Sequence, residues 1–263
     1  MGSIFKSCNT SCLRCSRLCA RGLHKLKIMK RTKDFFRPVW PVSAAHFAKF
    51  QALLHLFQKE NAKINLSSFS AESEIWEKHF FDALQAAEFF SNSPGIRVLD
   101  LGTGGGFPLL PLAIIFQESE FVAVESVEKK CHAVERFCRE LLLRNVCTVC
   151  DRAERLGHGE HFREQFDAVT ARAFAKFPAL LEMALPFLKI SGRLIVFRGP
   201  ESESADFALI KLWGARLLQK KKCMLPSGEQ RTVWVLQKVK PTDKKFPRKV
   251  GLPKKRPLQV VDF

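Results

Sequence analysis

Acidic residues and glycines stand at regular spacing in the middle of the chain. Asp100 ends a short apolar run, and Gly102, Gly104 and Gly106 follow it before a helical stretch begins. Glycine permits a tight turn and lets a ligand approach the backbone where a Cβ would stand in the way. Glu125 ends the next apolar run, at the place where doubly wound folds set a carboxylate against ribose hydroxyls. The pattern predicts a ligand held between this turn and this carboxylate.

The glycine spacing argues against one class of ligand. A dinucleotide fingerprint G-x-G-x-x-G that starts at Gly102 would need glycine where Phe107 stands, and one that starts at Gly104 would need it where Leu109 stands. A pyrophosphate cradle, and with it an oxidoreductase, is therefore disfavoured. The observed D-x-G-x-G-x-G over residues 100–106 is instead typical of proteins that bind S-adenosylmethionine.

Strands that alternate with helices position these residues. Short apolar runs predict six strands, at residues 97–101, 121–125, 146–150, 166–171, 193–197 and 232–238. Helical periodicity predicts three helices between them, at residues 109–116, 129–143 and 177–188. This order is typical of βαβ units and a mostly parallel sheet. We expect an α/β, Rossmann-like, doubly wound domain.

Two amphipathic helices precede the predicted sheet. One begins after Ser43, a helix-capping residue type, and the other runs over residues 74–90. We expect four regions: a basic, cysteine-containing extension over residues 1–40, a helical cap over 41–92, the Rossmann-like domain over 93–240 and a basic tail over 241–263.

The net charge of +17 is concentrated at the two ends of the chain. Nine basic residues and no acid lie in residues 1–33, and nine basic residues against two acids lie in 238–263, so the body between them is nearly neutral. Basic ends usually contact a polyanion, most often nucleic acid, although solvated tails that aid solubility fit the same charges. The longest uncharged run, 101–117, holds four glycines and two prolines and is a poor membrane span. Nine cysteines without an export signal are typical of a cytoplasmic protein.

An ordered set of motifs over about residues 43–258 resembles the bacterial 16S rRNA guanine-N7 methyltransferase family, also called the glucose-inhibited division protein B family. The motifs are Asn65-Leu66-Ser67-Ser68, residues 77–84, residues 100–108, Asp151-Arg152-Ala153-Glu154, residues 169–174, Arg198-Gly199, Phe246-Pro247-Arg248-Lys249 and Pro253-Lys254-Lys255. The resemblance implies a class I methyltransferase that moves a methyl group from S-adenosylmethionine to N7 of a guanine in the decoding-region loop of small-subunit rRNA.

The resemblance also extends the expected site beyond Asp100, Glu125 and the glycines. It implies cofactor contacts at Gly102, Phe107, Ala153 and Glu154, and it places Arg172 near the transferred methyl or the target base. Because guanine N7 has a lone pair and no proton, catalysis by orientation suffices and we expect no general base. The cations expected to hold rRNA are Lys130, Arg198, Arg231, Arg248, Lys249, Lys254 and Lys255; a solvated helix start is the alternative for Lys130.

Two positions depart from the family pattern. Phe246 stands where the family often has tyrosine, and Arg198 stands where lysine is frequent. The first removes a hydroxyl and the second changes donor geometry, and both bear on RNA contacts more than on the cofactor.

Other polar residues leave two interpretations open. His79 and Asp82 share a helix face, where they either line the site or fix the cap to the sheet, and we favour the second. Arg231 is either an ion-pair partner or an RNA contact.

The N-terminal cysteines also allow several interpretations. The spacing of Cys8, Cys12 and Cys15 matches that of the cluster ligands in radical S-adenosylmethionine enzymes, and Cys19 with them would supply the four thiolates of a zinc site. The alternatives are a basic amphipathic extension, a true start at Met29 or a targeting peptide, and we expect no metal. For the whole chain the rival functions are a methyltransferase with another substrate and a non-catalytic RNA-binding factor on the same fold.

Overall fold

The computed structural model describes residues 32–90, 95–199 and 207–262 of the 263-residue chain. The strands are β1 Arg97–Leu101, β2 Glu120–Glu125, β3 Val146–Cys150, β4 Phe166–Arg172, β5 Leu188–Arg198, β6 Ala215–Met224 and β7 Gln230–Lys238. The helices are α1 Ala44–Ile64, α2 (Glu72–Ile75, the π-helical Trp76–Phe81 and Asp82–Leu84 in one run), α3 Leu109–Ile115, α4 Glu128–Glu140, α5 Ala153–Leu156, α6 Phe177–Ala184, α7 Phe207–Leu212 and α8 Leu252–Lys255. Within these ranges no helix is long and apolar enough to cross a membrane.

The seven strands form one sheet in the order β3-β2-β1-β4-β5-β7-β6. Strands β1 to β5 pair in parallel, and β7 pairs antiparallel with both β5 and β6. The strand order reverses between β1 and β4, and in such sheets ligands bind at that point, beyond the carboxyl ends of the strands. The predicted doubly wound α/β fold is confirmed, and the glycine turn lies at this position.

Among the described residues, β6 is the one strand that the sequence pattern did not predict, and the short helices α5, α7 and α8 were not predicted either. The β6 segment Ala215–Met224 includes the charged run Lys220–Lys222 and shows little apolar alternation. The register also shifts between Leu217 and Gln219, which breaks the period of two. As an edge strand it pairs on one side only, and charged side chains are typical of such strands. Pairing with β7, rather than the local sequence, therefore makes this segment a strand.

The two helices of the cap pack their apolar faces against the sheet domain. The Ser43 hydroxyl accepts the His46 amide at 3.1 Å and caps α1, as its position in the sequence predicts. Phe36, Phe50 and Phe57 are fully buried, so the short 3-10 turn Lys33–Phe36 belongs to the same packed unit. The boundary expected at residue 41 falls inside this unit. The second helix stops at residue 84 instead of reaching 90, and a 3-10 turn follows it.

The C-terminal segment packs against the domain. Arg163 donates to the carbonyls of Gly157, Thr242, Asp243 and Phe246 at 2.7 to 3.1 Å. The Phe246 ring is buried, with its centroid 4.7 Å from that of Trp213. Phenylalanine in place of the tyrosine expected at this position therefore bears on packing, not on RNA contact. The segment does not form the freely exposed basic tail that the sequence predicts.

Arg248 holds the same segment through a buried ion pair. Its Nε and Nη2 donate to the two carboxylate oxygens of Glu182 at 2.9 and 2.7 Å, and the Glu182 side chain is 0% exposed. Arg248, expected from the sequence to contact RNA, has a structural role here, because its guanidinium neutralises a buried carboxylate. Removal of this arginine would leave the charge of Glu182 without a counterion.

We predict that Arg248→Ala lowers the free energy of unfolding by about 3 kcal/mol, because removal of one partner of a buried pair strands the other charge. Urea unfolding followed by circular dichroism measures the change. The control is Lys245→Ala, which breaks the exposed pair with Asp243 and should cost less than about 1 kcal/mol. Equal stability of the two variants would contradict the assigned role.

Candidate functional site

The glycine turn closes directly onto the neighbouring strand. The amides of Gly102 and Thr103 donate to the Val124 carbonyl at 2.8 and 3.1 Å. Gly102 has φ +69°, and a Cβ there would lie 2.6 Å from the Phe174 ring. Glycine is required at this position because both the backbone conformation and the close ring exclude a side chain.

Glu125 faces the glycine turn in a fixed orientation. One carboxylate oxygen accepts the amides of Ser126 and Val127 at 2.7 and 3.0 Å, and the other accepts the Gly104 amide at 3.1 Å. A carboxylate oxygen has two acceptor sites, so the oxygen on Gly104 has capacity for another donor. This carboxylate could accept hydrogen bonds from the hydroxyls of a sugar.

Asp100 lies beneath the turn and does not line the cavity above it. Its carboxylate is 1% exposed and accepts the Thr170 hydroxyl at 2.6 Å. Burial raises the pKa of Asp100 to about 6, although the hydrogen bond from Thr170 opposes the rise. Asp100 therefore supports the turn from below.

A cavity of about 220 Å³ opens above the turn, and we call it the glycine-loop cavity. Seven of the residues predicted from the sequence to bind cofactor or substrate line it: Gly102, Gly104, Glu125, Lys130, Ala153, Glu154 and Lys254. Lys130 and Lys254 are the two of these that were predicted as rRNA contacts. The structure thus brings together residues from β1, β2, α4, α5 and α8 that lie more than 150 positions apart in the sequence.

The C-terminal segment covers one side of the glycine-loop cavity. The Gly251 amide donates to Glu154 at 2.9 Å, and the Lys254 ammonium lies 4.2 Å from the centre of the Phe174 ring. Lys249 and Lys255 are exposed beside this contact. Deletion of residues 241–263 would therefore remove part of the cavity wall.

Phe107 and Gly106 do not line the glycine-loop cavity, although the sequence predicts that they contact the cofactor. The Phe107 ring stacks on His79 with centroids 4.7 Å apart, and it packs edge-on against Phe57 and Phe80. A Cβ at Gly106 would lie 2.4 Å from Leu110. Both residues fix the start of α3 and the packing of the cap.

A second cavity of about 550 Å³ lies under the cap, and we call it the cap cavity. Its lining includes Arg172, Arg198 and Arg231 of the predicted set. Ala173 lines both cavities, so the two cavities adjoin each other at the end of β4.

Arg172 is held by three acceptors on α2. It donates to the Lys78 carbonyl at 2.7 Å and to Asp82 at 3.3 Å, and its other terminal nitrogen lies 3.0 Å from His79 Nδ1. His79 and Asp82 thus fix the cap to the sheet, as we favoured, and they do so through Arg172. They also line the cap cavity.

The contact with Arg172 determines which ring nitrogen of His79 carries the proton. A guanidinium can only donate, so Nδ1 must accept, and Nε2 then carries the proton and donates to Ser67 Oγ at 2.9 Å. Burial and, secondarily, the positive charge of Arg172 lower the pKa of His79 to about 3. The imidazole is therefore neutral at physiological pH. Burial raises the pKa of Asp82, although Arg172 and Arg231 oppose the rise.

The turn between β6 and β7 closes the far side of the cap cavity. Glu229 pairs with Lys78 on α2 and with Arg231, and the Ser227 amide donates to Glu77 at 3.0 Å. Both interpretations of Arg231 therefore fit, since it is ion-paired and also lines the cavity. Lys78 and Glu229 were missed from the sequence because nothing local indicates that the turn meets α2, 151 positions away.

Arg198 lies over aromatic rings at the cap cavity. Its guanidinium carbon is 4.6 Å from the centre of the Trp234 ring and 5.3 Å from that of Phe177. Arginine makes cation–π contacts of this kind more often than lysine, which accounts for an arginine at this position. The four N-terminal cysteines lie outside the described residues.

The glycine-loop cavity fits S-adenosylmethionine in its donor set. It has backbone without Cβ atoms at Gly102 and Gly104, an oriented carboxylate at Glu125 for ribose hydroxyls, and a space beside Ala153 and Glu154.

Comparisons with known proteins show which family and which fold the chain resembles. The family model for GidB, rRNA small subunit methyltransferase G, matches residues 46–230. Two curated relatives from Streptococcus pyogenes, each named ribosomal RNA small subunit methyltransferase G, are 38% and 39% identical over 86% of this chain and 99% of their own length. A solved structure of a mutant of MtNAS is 14% identical and has a TM-score of 0.51 over 74% of this chain and 75% of that one, which shows a shared fold.

We predict that Gly104→Val lowers the affinity for S-adenosylmethionine at least about 100-fold, measured by calorimetry. Valine at φ +57° is strained and its side chain enters the glycine-loop cavity. The matched control is Gly95→Val, which carries the same strain at φ +71° with no atom closer than 4.0 Å, at the opposite end of β1. Equal affinity in the two variants would contradict the position of the site.

We predict that Asp100→Asn gains stability relative to the wild type as pH rises. The folded-state pKa of about 6 lies above the ordinary 3.8, so the folded protein keeps a proton that the unfolded chain releases. The contribution of Asp100 to stability therefore falls between about pH 4 and pH 6. Urea unfolding at pH 4.5 and pH 7 measures the difference, with exposed Glu118→Gln as control. Parallel pH profiles for wild type and Asp100→Asn would exclude this effect.

Proposed function

The chain belongs to the rRNA small subunit methyltransferase G family, and we propose that it methylates N7 of one guanine in the decoding-region loop of 16S rRNA. Membership in this family makes the chain an S-adenosylmethionine-dependent methyltransferase of small-subunit rRNA with a class I methyltransferase fold. The target atom and the residues that serve it are the proposal.

The observation that carries the proposal is the meeting of the two cavities at Ala173. One cavity has the glycine turn and the oriented carboxylate that suit the cofactor. The other has cations, aromatic edges and an ionised carboxylate within reach, which suits a nucleotide base with its phosphate. Transfer between two bound molecules requires this kind of adjacency.

The residues of the glycine-loop cavity would hold the cofactor. Glu125 would accept the ribose hydroxyls, Ala153 and Glu154 would lie beside the adenine, and Gly102 with Gly104 would leave room for the amino-acid end. When bound, the cofactor supplies a methyl group activated by a positive sulfur. Lys254 and Phe174 would shield this cavity from water.

The residues of the cap cavity would hold the target base. Guanine N7 has an available lone pair and no proton to remove, so neither an acid nor a base is required at the reacting atom. Arg172 has a fixed direction because three acceptors on α2 hold it, and it would orient the base through a hydrogen bond or a phosphate contact. Orientation of this kind contributes several kcal/mol to lowering a barrier.

Exposed cations around the two cavities would contact rRNA phosphates. Lys249 and Lys255 lie on the segment that covers the glycine-loop cavity, and Lys130 lies at its wall. Contacts of this kind make binding steeply dependent on salt, because each neutralised phosphate releases counterions. We further propose that the enzyme acts in the cytoplasm as a monomer on 16S rRNA or the small ribosomal subunit.

Transfer of labelled methyl from S-adenosylmethionine to small-subunit rRNA that lacks N7 methylation tests the function. We predict one new site of borohydride–aniline cleavage, which reports N7-methylguanine, in the decoding-region loop. Gly104→Val should give none. Cofactor binding without transfer to the rRNA or to the assembled subunit would contradict the proposed substrate.

We predict that Arg172→Lys lowers kcat/KM for rRNA at least about tenfold while the Kd for S-adenosylmethionine changes less than about threefold. Lysine keeps the charge and loses the planar donor set that α2 holds. The control is Arg97→Lys, at the amino end of β1, which lines neither cavity and should keep wild-type activity. A parallel loss of cofactor affinity would place Arg172 in the cofactor site instead.

A further inference from the structure

Two carboxylates line the cap cavity among the described residues, and they differ in what they can still bind. The Asp82 side chain is 5% exposed and is directed at Arg172 and Arg231. The Glu229 side chain is 33% exposed and stands at the far wall of the cavity. Glu229 is therefore the carboxylate that a ligand in this cavity can reach.

Glu229 is held ionised and in one orientation. Lys78 contacts one of its carboxylate oxygens and Arg231 contacts the other. These hydrogen bonds lower the pKa of Glu229 below its ordinary value. Each carboxylate oxygen has two acceptor sites, so a ligand finds one further acceptor site on each oxygen, side by side.

Strand order sets Glu229 opposite the cofactor. The glycine-loop cavity reaches the cap cavity at Ala173, which follows β4, whereas Glu229 directly precedes β7. The sheet order places β5 between these two strands, and neighbouring strands lie about 4.8 Å apart, so the two walls are about 10 Å apart. A planar base between them would present one edge to the cofactor and the opposite edge to Glu229.

Guanine has one edge that suits the cofactor side of the cap cavity and another that suits the side with Glu229. N7 lies on the edge with O6, and the N1–H and 2-amino donors lie on the opposite edge. Two adjacent donors match the two oxygens of a carboxylate. Adenine has an unprotonated N1 and no 2-amino group, so the carboxylate would repel it.

We propose that Glu229 is the residue that selects guanine as the target base, by accepting hydrogen bonds from N1–H and the 2-amino group while N7 faces the end of β4. This inference rests on the proposed N7 methylation and adds the group that reads the base. Lys78 and Arg231 then act as positioning residues, since they fix the carboxylate.

A purely structural role for Glu229 makes a different prediction. Its pair with Lys78, together with the Glu77 contact to Ser227, ties the β6–β7 turn to α2. If Glu229 served only this purpose, its loss would weaken methylation of any base equally. Base selectivity separates the two roles.

The test compares small subunits reconstituted with 16S rRNA that carries guanosine or inosine at the methylated position. Inosine keeps N7, O6 and N1–H and lacks only the 2-amino group. We expect wild-type kcat/KM to be about tenfold lower on inosine, the effect of one hydrogen bond to a charged group. In Glu229→Gln we expect at least about a tenfold loss on guanosine and nearly equal rates on the two substrates, because the amide NH2 cannot accept from the 2-amino group.

Two further measurements make the outcome decisive. The Kd for S-adenosylmethionine should be unchanged in Glu229→Gln, which also shows that the variant folds. Glu77→Gln, which weakens the other contact of the turn, should keep the wild-type ratio of guanosine to inosine. A wild-type ratio in Glu229→Gln would overturn the assignment while N7 methylation stands. Failure of the wild type to methylate either subunit would overturn the proposed function, and this inference with it.

Discussion

The guanidinium of Arg172 joins the cap to the sheet, and the shape of both cavities depends on it. Arg172 is the last residue of β4, and its side chain donates to three acceptors on α2: the Lys78 carbonyl, the Asp82 carboxylate and His79 Nδ1. Buried acceptors without a donor are costly, so the cap has one favourable position on the sheet. That position places Ala173 at the junction of the two cavities.

The site contains charges that a core selected for stability alone would exclude. Asp100 lies under the glycine turn with a pKa raised to about 6, and Asp82 is buried beside Arg172. Desolvation of a carboxylate costs free energy that its hydrogen bonds offset only in part. Apolar packing around them, such as the Phe107 ring stacked on His79, holds the polar groups in one arrangement. Retention of such groups is expected where orientation is the source of catalysis.

The C-terminal segment is packed against the domain and forms part of the glycine-loop cavity. Arg248 anchors it on buried Glu182, Gly251 donates to Glu154, and Lys254 lies over Phe174. A segment rich in cations thus forms part of the wall of the glycine-loop cavity and also presents exposed Lys249 and Lys255.

The sequence by itself determined the doubly wound fold, the glycine turn at the end of β1 and Glu125 beside it, because strand and helix periods and glycine spacing are local properties of the chain. It did not reveal β6, whose charged residues become a strand only through pairing with β7. Nor did it reveal that Arg248 pairs with buried Glu182, that Phe107 lies in the core, or that Glu229 meets Lys78. These contacts join residues 28 to 151 positions apart, and only the tertiary structure decides which distant side chains lie close enough to interact.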